Sequence, residues 1–189
     1  MSRFRNALFA AASALFAFGF AGAPASAQNT APPPTDVHTS GDWTVRCIHT
    51  QSTFCELAQV MIERSHNVKV ASISISYIPK SDSYLGRFSV PLGVAFDQGL
   101  GLEFGAFQQA NLKYRVCERE GCYVTGLLPP EMIEGMKNMG SDKGAMDIQM
   151  IDGRKLQIPV LLNGFADGLD VLKKWTVEKA GGNDRPAKK

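Results

Sequence analysis

Cys47, Cys55, Cys117 and Cys122 are the residues of this 189-residue chain best placed to do chemistry. All four lie downstream of a signal-like N-terminus. An even cysteine count in an exported chain implies two disulfides. Cys47–Cys55 and Cys117–Cys122 are the favoured pairs, because each flanks a short turn-like segment. Glu118-Arg119-Glu120-Gly121 reads as a hairpin loop with the second bridge across its base. Closing such loops contributes roughly 2–3 kcal/mol each, less any strain. Cross-pairing that staples distant strands stays open as a rival. A redox motif needs C-x-x-C, which neither pair has. Four cysteines could also hold zinc, but only the second pair has a familiar ligand spacing.

Other reactive groups are sparse. His38, His49 and His66 are the only histidines, and none has an acid or nucleophile at a recognisable motif spacing. The chain has no G-x-S-x-G elbow, no H-E-x-x-H and no phosphate loop. Asp97, Glu103, Asp147 and Asp152 could meet across strands, and a glycosidase-like pair needs two acids in one cleft. Solvated strand and turn acids are the simpler reading. Met132, Met136, Met139, Met146 and Met150 cluster in one stretch. Thioethers select copper(I), but helical spacing of the first three fits core packing. No catalytic residue, metal site or cofactor is assigned from these residues.

The elements that must position these groups are mostly strands. Trp43, Val45 and Cys47 alternate with polar neighbours, as do Ala71, Ile73, Ile75 and Tyr77. Such a period of two marks half-buried strands. The segment 57–62 is apolar on both faces. Further strands are expected at 87–90, 101–104, 112–117, 122–127, 145–151 and 155–161, with Asp152-Gly153 as a two-residue hairpin signal between the last two. Arg87-Phe88 and Phe104–Phe107 are candidate exposed apolar segments, though their aromatics fit a core as well. Two helices are expected. Pro130 opens the first, with Met132, Met136 and Met139 on one face. The second carries Phe165, Leu169 and Leu172 at i, i+4, i+7 and lids one end of the sandwich. The fold class is therefore all-β, an antiparallel sandwich or barrel with one or two short helices, including a C-terminal helix.

Met1–Ala27 reads as a secretory signal: Arg3 and Arg5, an apolar run over Ala7–Ala21, then Ala25-Ser26-Ala27 with cleavage between Ala27 and Gln28. The run is about 15 residues, short of the ~20 that span a bilayer. Gln28–Thr39 is a spacer containing Pro32-Pro33-Pro34, Ser40–Val177 the sandwich domain, and Glu178–Lys189 a flexible tail. The whole chain has 20 Lys+Arg and 18 Asp+Glu, so removing Arg3 and Arg5 leaves 18 of each. No clustered basic excess suggests a nucleic-acid partner.

Taken in order, these residues resemble a known family. Gly41-Asp42-Trp43-Thr44-Val45-Arg46-Cys47 is similar to the G-D-W-x-x-x-C start of the invasion-associated locus B family of exported bacterial proteins. Cys55 followed by Gln59, the Pro91-Leu92-Gly93 turn with Gly99-Leu100, Cys117-x4-Cys122, Ile158-Pro159 and Gly164-Phe165 also fit. The resemblance spans roughly residues 40–175. A departure is Leu102-Glu103-Phe104, where a less apolar, more acid-bearing loop is expected. The resemblance implies an immunoglobulin-like β-sandwich, periplasmic or surface-associated, linked in pathogens to host-cell entry, with no established catalytic residues to carry over. The resulting expectation is a non-enzymatic periplasmic envelope protein that binds an envelope or host protein. Peripheral association with the outer membrane is compatible with it, and the mature chain has no transmembrane span. The alternative is a periplasmic small-ligand or copper(I) binder.

Expressed with its full N-terminus in a bacterium that has a periplasm, the protein is expected to begin at Gln28 and to resist alkylation without reductant. N-terminal sequencing and non-reducing mass measurement check this. A start at Met1 with four alkylatable thiols would refute it.

Overall fold

In this computed structural model, which describes residues 35–50 and 52–180, the apolar–polar alternation becomes eleven strands and two α-helices. The signal Met1–Ala27, its cleavage point between Ala27 and Gln28, residues 28–34 of the spacer and 181–189 of the tail lie outside the described residues. The first five strands are β1 (Thr35–Ser40), β2 (Trp43–His49), β3 (Thr53–Glu63), β4 (Val68–Ile78) and β5 (Ser83–Val90). Then come β6 (Leu100–Phe104), β7 (Phe107–Leu112), β8 (Val116–Glu118) and β9 (Gly121–Leu127). Helix α1 (Pro130–Asn138) precedes β10 (Lys143–Gln149) and β11 (Lys155–Leu161), and α2 (Phe165–Ala180) follows.

Every strand pairing is antiparallel. One sheet has the order β1-β2-β3-β4-β5-β9-β8, the other β11-β10-β6-β7. The two face each other as a sandwich. The larger sheet sends Trp43, Val45, Leu57, Ile73, Ile75 and Phe88 inward, and the smaller answers with Leu100, Leu102, Phe104, Met146, Ile148 and Val160. Helix α1 buries Met132, Ile133 and Met136 in the same core. Helix α2 lies over β2 and β3 with its Phe165, Leu169 and Leu172 stripe buried, and Phe165 meets the Trp43 ring edge-on at 5.0 Å.

A polar clasp joins the sheets inside this apolar interior. Gln59 is 5% exposed and sits on the inner face of β3. Its Nε2 donates to the Leu161 carbonyl at 2.7 Å, and its Oε1 accepts from the Leu161 N–H at 3.0 Å. The side-chain amide thus pairs with the backbone N–H and C=O of Leu161, the last residue of β11, as a neighbouring strand would. Trp43 Nε1 donates to the same carbonyl at 2.8 Å, and Gln59 Nε2 also reaches the Asp42 carbonyl at 3.3 Å. Just beyond, Asp42 N–H donates to the Asn163 carbonyl at 3.0 Å and Ser40 Oγ to the Gly164 carbonyl at 2.9 Å. The two loops touch so closely that a Cβ on Gly41 would collide with Asn163, and one on Gly164 with Ser40. Both glycines also have positive φ, 55° and 78°, which side-chain-bearing residues adopt at a cost.

Four expectations need correction. Residues 35–39, read as spacer, form strand β1 and pair with β2 along their whole length. The single strand expected over 112–117 is two, β7 and β8, in different sheets; Lys113–Arg115 crosses between them and buries Tyr114. The turn at Asp152-Gly153 is wider than two residues: Met150 N–H donates to the Arg154 carbonyl at 2.8 Å, leaving a three-residue loop. Helix α2 also runs through Glu178–Ala180, which had been assigned to the tail.

Replacing Gln59 with Leu removes three hydrogen bonds and leaves the half-buried Leu161 N–H without its side-chain partner. The fold should lose about 2–4 kcal/mol, read as a lower urea midpoint with unchanged slope. A shift within error of wild type would show that the clasp is dispensable.

Candidate functional site

The cysteines are bonded as Cys47–Cys55 and Cys117–Cys122. Cys47 and Cys55 are directly opposed on β2 and β3, and Cys117 and Cys122 on β8 and β9. The Cα atoms are 4.1 Å and 3.9 Å apart, the close spacing of positions that exchange no ladder hydrogen bonds. Both bridges therefore clamp hairpins.

The structure scatters the remaining candidates. His38 lies against the Trp175 ring. His49 bonds Asp36 through Nε2 at 2.8 Å and Thr53 through Nδ1 at 3.2 Å, so an acid and a hydroxyl do stand on opposite ring nitrogens here; the same Asp36 carboxylate also takes Lys179, and the group ties β1, the β2–β3 hairpin and α2 together. His66 sits on the exposed turn after β3 with Ser65 and Glu63, but both neighbours meet the same ring nitrogen, Nδ1. A relay needs the acid and the nucleophile on opposite nitrogens, so this trio is a capped turn. Asp152 is held by Arg154 at the hairpin tip and Asp97 by Gln98. Glu103 and Asp147 do share the outer face of the small sheet, on adjacent strands, where Gln157 donates to Asp147 at 3.0 Å. Met132, Met136 and Met146 are fully buried, and Met139 and Met150 pack against that core. Phe88 and Phe104 are core residues and Phe107 packs on the core. Among the described residues, His, Cys, Asp and Glu nowhere gather in threes that could hold a metal ion.

The two arginines at the centre of the large sheet's outer face are already engaged. Arg46 pairs with buried Glu56, which also takes the Ser74 hydroxyl. Arg87 stacks on the Tyr123 ring, 4.1 Å from its centre.

A groove of about 580 Å³ lies where the ends of β5 and β9 meet both helices. Tyr84, Leu127, Leu128, Pro129, Ile133 and Leu169 give it an apolar lining, and Asp82, Glu134, Lys137 and Lys173 stand at its rim. Local sequence explains the arrangement. Pro79-Lys80-Ser81 makes one 3-10 turn, and Asp82 closes it in the left-handed region with φ 45°. That turn aims the Asp82 carboxylate at α2. Lys173 donates to it at 2.7 Å and the Tyr77 hydroxyl at 2.8 Å. Lys173 also lies 5.0 Å from the Tyr77 ring centre, and the Tyr77 and Tyr84 rings are 5.3 Å apart. Lys173 first and Tyr77 second hold the Asp82 carboxyl below its ordinary value, while Asp82 raises Lys173. The bond to Asp82 pushes the Tyr77 phenol up, and burial raises Tyr84.

These groups are locked in their ordinary charge states at neutral pH. None is poised to give and take a proton there, which is what acid–base catalysis requires. Asp82 and Lys173 thus stand as a charged pair beside an apolar floor. The floor continues onto the outer face of the large sheet through Leu85 and Leu127, which are cross-strand partners. Leu127 is 66% exposed. Sequence reading did not find this site. Asp82 and Lys173 lie far apart in the chain, and the available signal was only the turn-forming Pro79–Asp82 run.

The family model for the invasion associated locus B (IalB) protein matches residues 43–173. A solved structure, the crystal structure of invasion associated protein B from Bartonella henselae, is similar at TM-score 0.67 and 19% identity. The match covers 76% of this chain and 98% of that one. At that identity the likeness speaks for the fold. No curated protein matches the chain.

Lys173→Ala should return the Asp82 carboxyl toward its ordinary value of 3.8. A lowered carboxyl contributes stability above its unfolded value and loses it as pH falls. The stability gap between wild type and variant should therefore be present at pH 7 and shrink below pH 3.8. Urea unfolding at both ends of that range, with carboxylate NMR, checks it.

Proposed function

Because the chain belongs to the invasion associated locus B family, we propose that it is an exported, non-enzymatic protein of the bacterial envelope that binds a macromolecular partner at the groove beside Leu127. One observation carries the reading: an apolar floor with a locked charged rim runs out onto exposed Leu85 and Leu127. Interfaces concentrate binding energy in such desolvated centres ringed by polar groups. Two disulfides and the inter-sheet clasp hold the floor rigid, which lowers the ordering cost of binding. Bridged cysteines fit an oxidising compartment, and the periplasm is the one we assign. Among the described residues no helix is long and apolar enough to cross a membrane. Association with the outer membrane would then be peripheral.

The non-enzymatic part draws support from the histidines, each occupied in a structural contact, and from the ordinary charge states at the groove. The partner's class, an envelope or host protein, and the link to host-cell entry rest on the family. A second reading, a periplasmic carrier of a small amphipathic molecule, draws on the groove's volume, which is that of a small-ligand site.

A photo-crosslinking residue placed at Leu85, the cross-strand neighbour of Leu127, should capture a discrete partner in intact cells. The same residue at Ile151, on the hairpin tip and 77% exposed, should not. Leu127→Asp should abolish capture while leaving thermal stability within about 2 °C of wild type. Equal capture at both positions would sink the groove assignment. A small molecule retained in native mass spectra and lost in Leu127→Asp would favour the carrier.

A further inference from the structure

We propose that the outer edge of β1 is a self-pairing surface, through which two copies of this chain join their seven-stranded sheets about a two-fold axis. The argument begins with how the other edges are treated. An open strand edge invites another strand, and proteins blunt it with proline, bulges or brevity. At the edges of the small sheet, β11 carries Pro159, and β7 is bulged where its pairing with β6 shifts and Asn111 turns to φ 59°. At the far edge of the large sheet, β8 has three residues. Strand β1 has none of these devices. It runs without proline or bulge, and among the described residues no strand lies beyond it.

The phase of its backbone follows from the first disulfide. Cys47 and Cys55 form a close pair that exchanges no ladder bonds, so Cys47 turns its N–H and C=O away from β3 and toward β1. Asp36 lies opposite Cys47 and His38 opposite Val45, so these two residues bond inward. Val37 and Thr39 then present their backbone groups to the open side. The Val37 side chain is 60% exposed on the outer face of the sheet.

An antiparallel copy centred on Val37 satisfies all three features together. Val37 faces the partner's Val37 as a mutually hydrogen-bonded pair, and the two valines cover each other. On the inner face, Asp36 falls opposite the partner's His38, and His38 opposite the partner's Asp36. Asp36 is held anionic by Lys179 first and His49 second, so an acid meets an imidazole twice across the axis. A shift of one residue would break this pairing and turn the outward groups out of phase. The surface is separate from the groove at Leu127, so either assignment can fail alone.

The test uses the mature chain, residues 28–189, with both disulfides intact. One short edge buries little area, so association should be weak. Sedimentation should show the mass moving from monomer to dimer over roughly 10–1000 µM. Hydrogen exchange at the Val37 amide should slow as concentration rises, whereas His38, already in the β1–β2 ladder, should be slow throughout. Val37→Pro removes only an outward N–H. It should weaken association at least about tenfold without changing the unfolding midpoint. Should that variant fold poorly, His38→Asp sets two acids against Asp36 and should lower association similarly. A monomer at the highest concentration, a Val37 amide protected at every dilution by the chain's own tail, or a folded variant that dimerises like wild type would each overturn the proposal.

Discussion

The pairing of the Gln59 side chain with the Leu161 peptide is the constraint on which the sandwich depends. Apolar contact between two sheets is strong but non-directional, and it tolerates sliding. A buried amide is less forgiving, since each donor and acceptor left unmade costs more than a bond made contributes. By using both its oxygen and its nitrogen on one backbone unit, Gln59 fixes the end of β11 against β3 in one position. Trp43 fills the same carbonyl's second acceptor site and turns its ring to Phe165. The start of α2 is set in turn, and with it Lys173, whose reach to Asp82 shapes the groove.

This arrangement recasts several of the residues that carry the family likeness. Gly41, Asp42, Trp43, Gln59, Gly164 and Phe165 gather in one place, where β1–β2 meets β11–α2. Their shared role is to lock the two sheets. Recognition of the family is therefore recognition of an architecture. The groove is built from other residues, Asp82, Leu127 and Lys173 among them, none of which belongs to the quoted motifs.

The same distinction explains what could be read in advance. Strands buried on one face announced themselves: β2 and β4 alternate cleanly because one side meets the core and the other meets water. Pro130 and the stripe Phe165, Leu169, Leu172 were equally plain, since helix packing imposes its own period. Strand β1 was opaque because an edge strand takes its order from backbone pairing, and Thr35–Ser40 shows no apolar stripe. Strand β7 was hidden by its bulge and by polar residues at Gln108–Asn111. Alternation cannot report either case. The groove was still harder to see, because it exists only after α2 has been brought against the Pro79–Asp82 turn. A charge pair so distant in sequence leaves no local trace.

The contacts between β1 and the last turns of α2 have a topological consequence. Lys179 pairs with Asp36, and Trp175 lies edge-on to His38. The strand that opens the folded domain and the helix that closes it therefore emerge side by side. A short glycine-rich bridge could join them, and new termini could be cut in the exposed loop at Ile151–Gly153, to give a circularly permuted chain with the same sandwich.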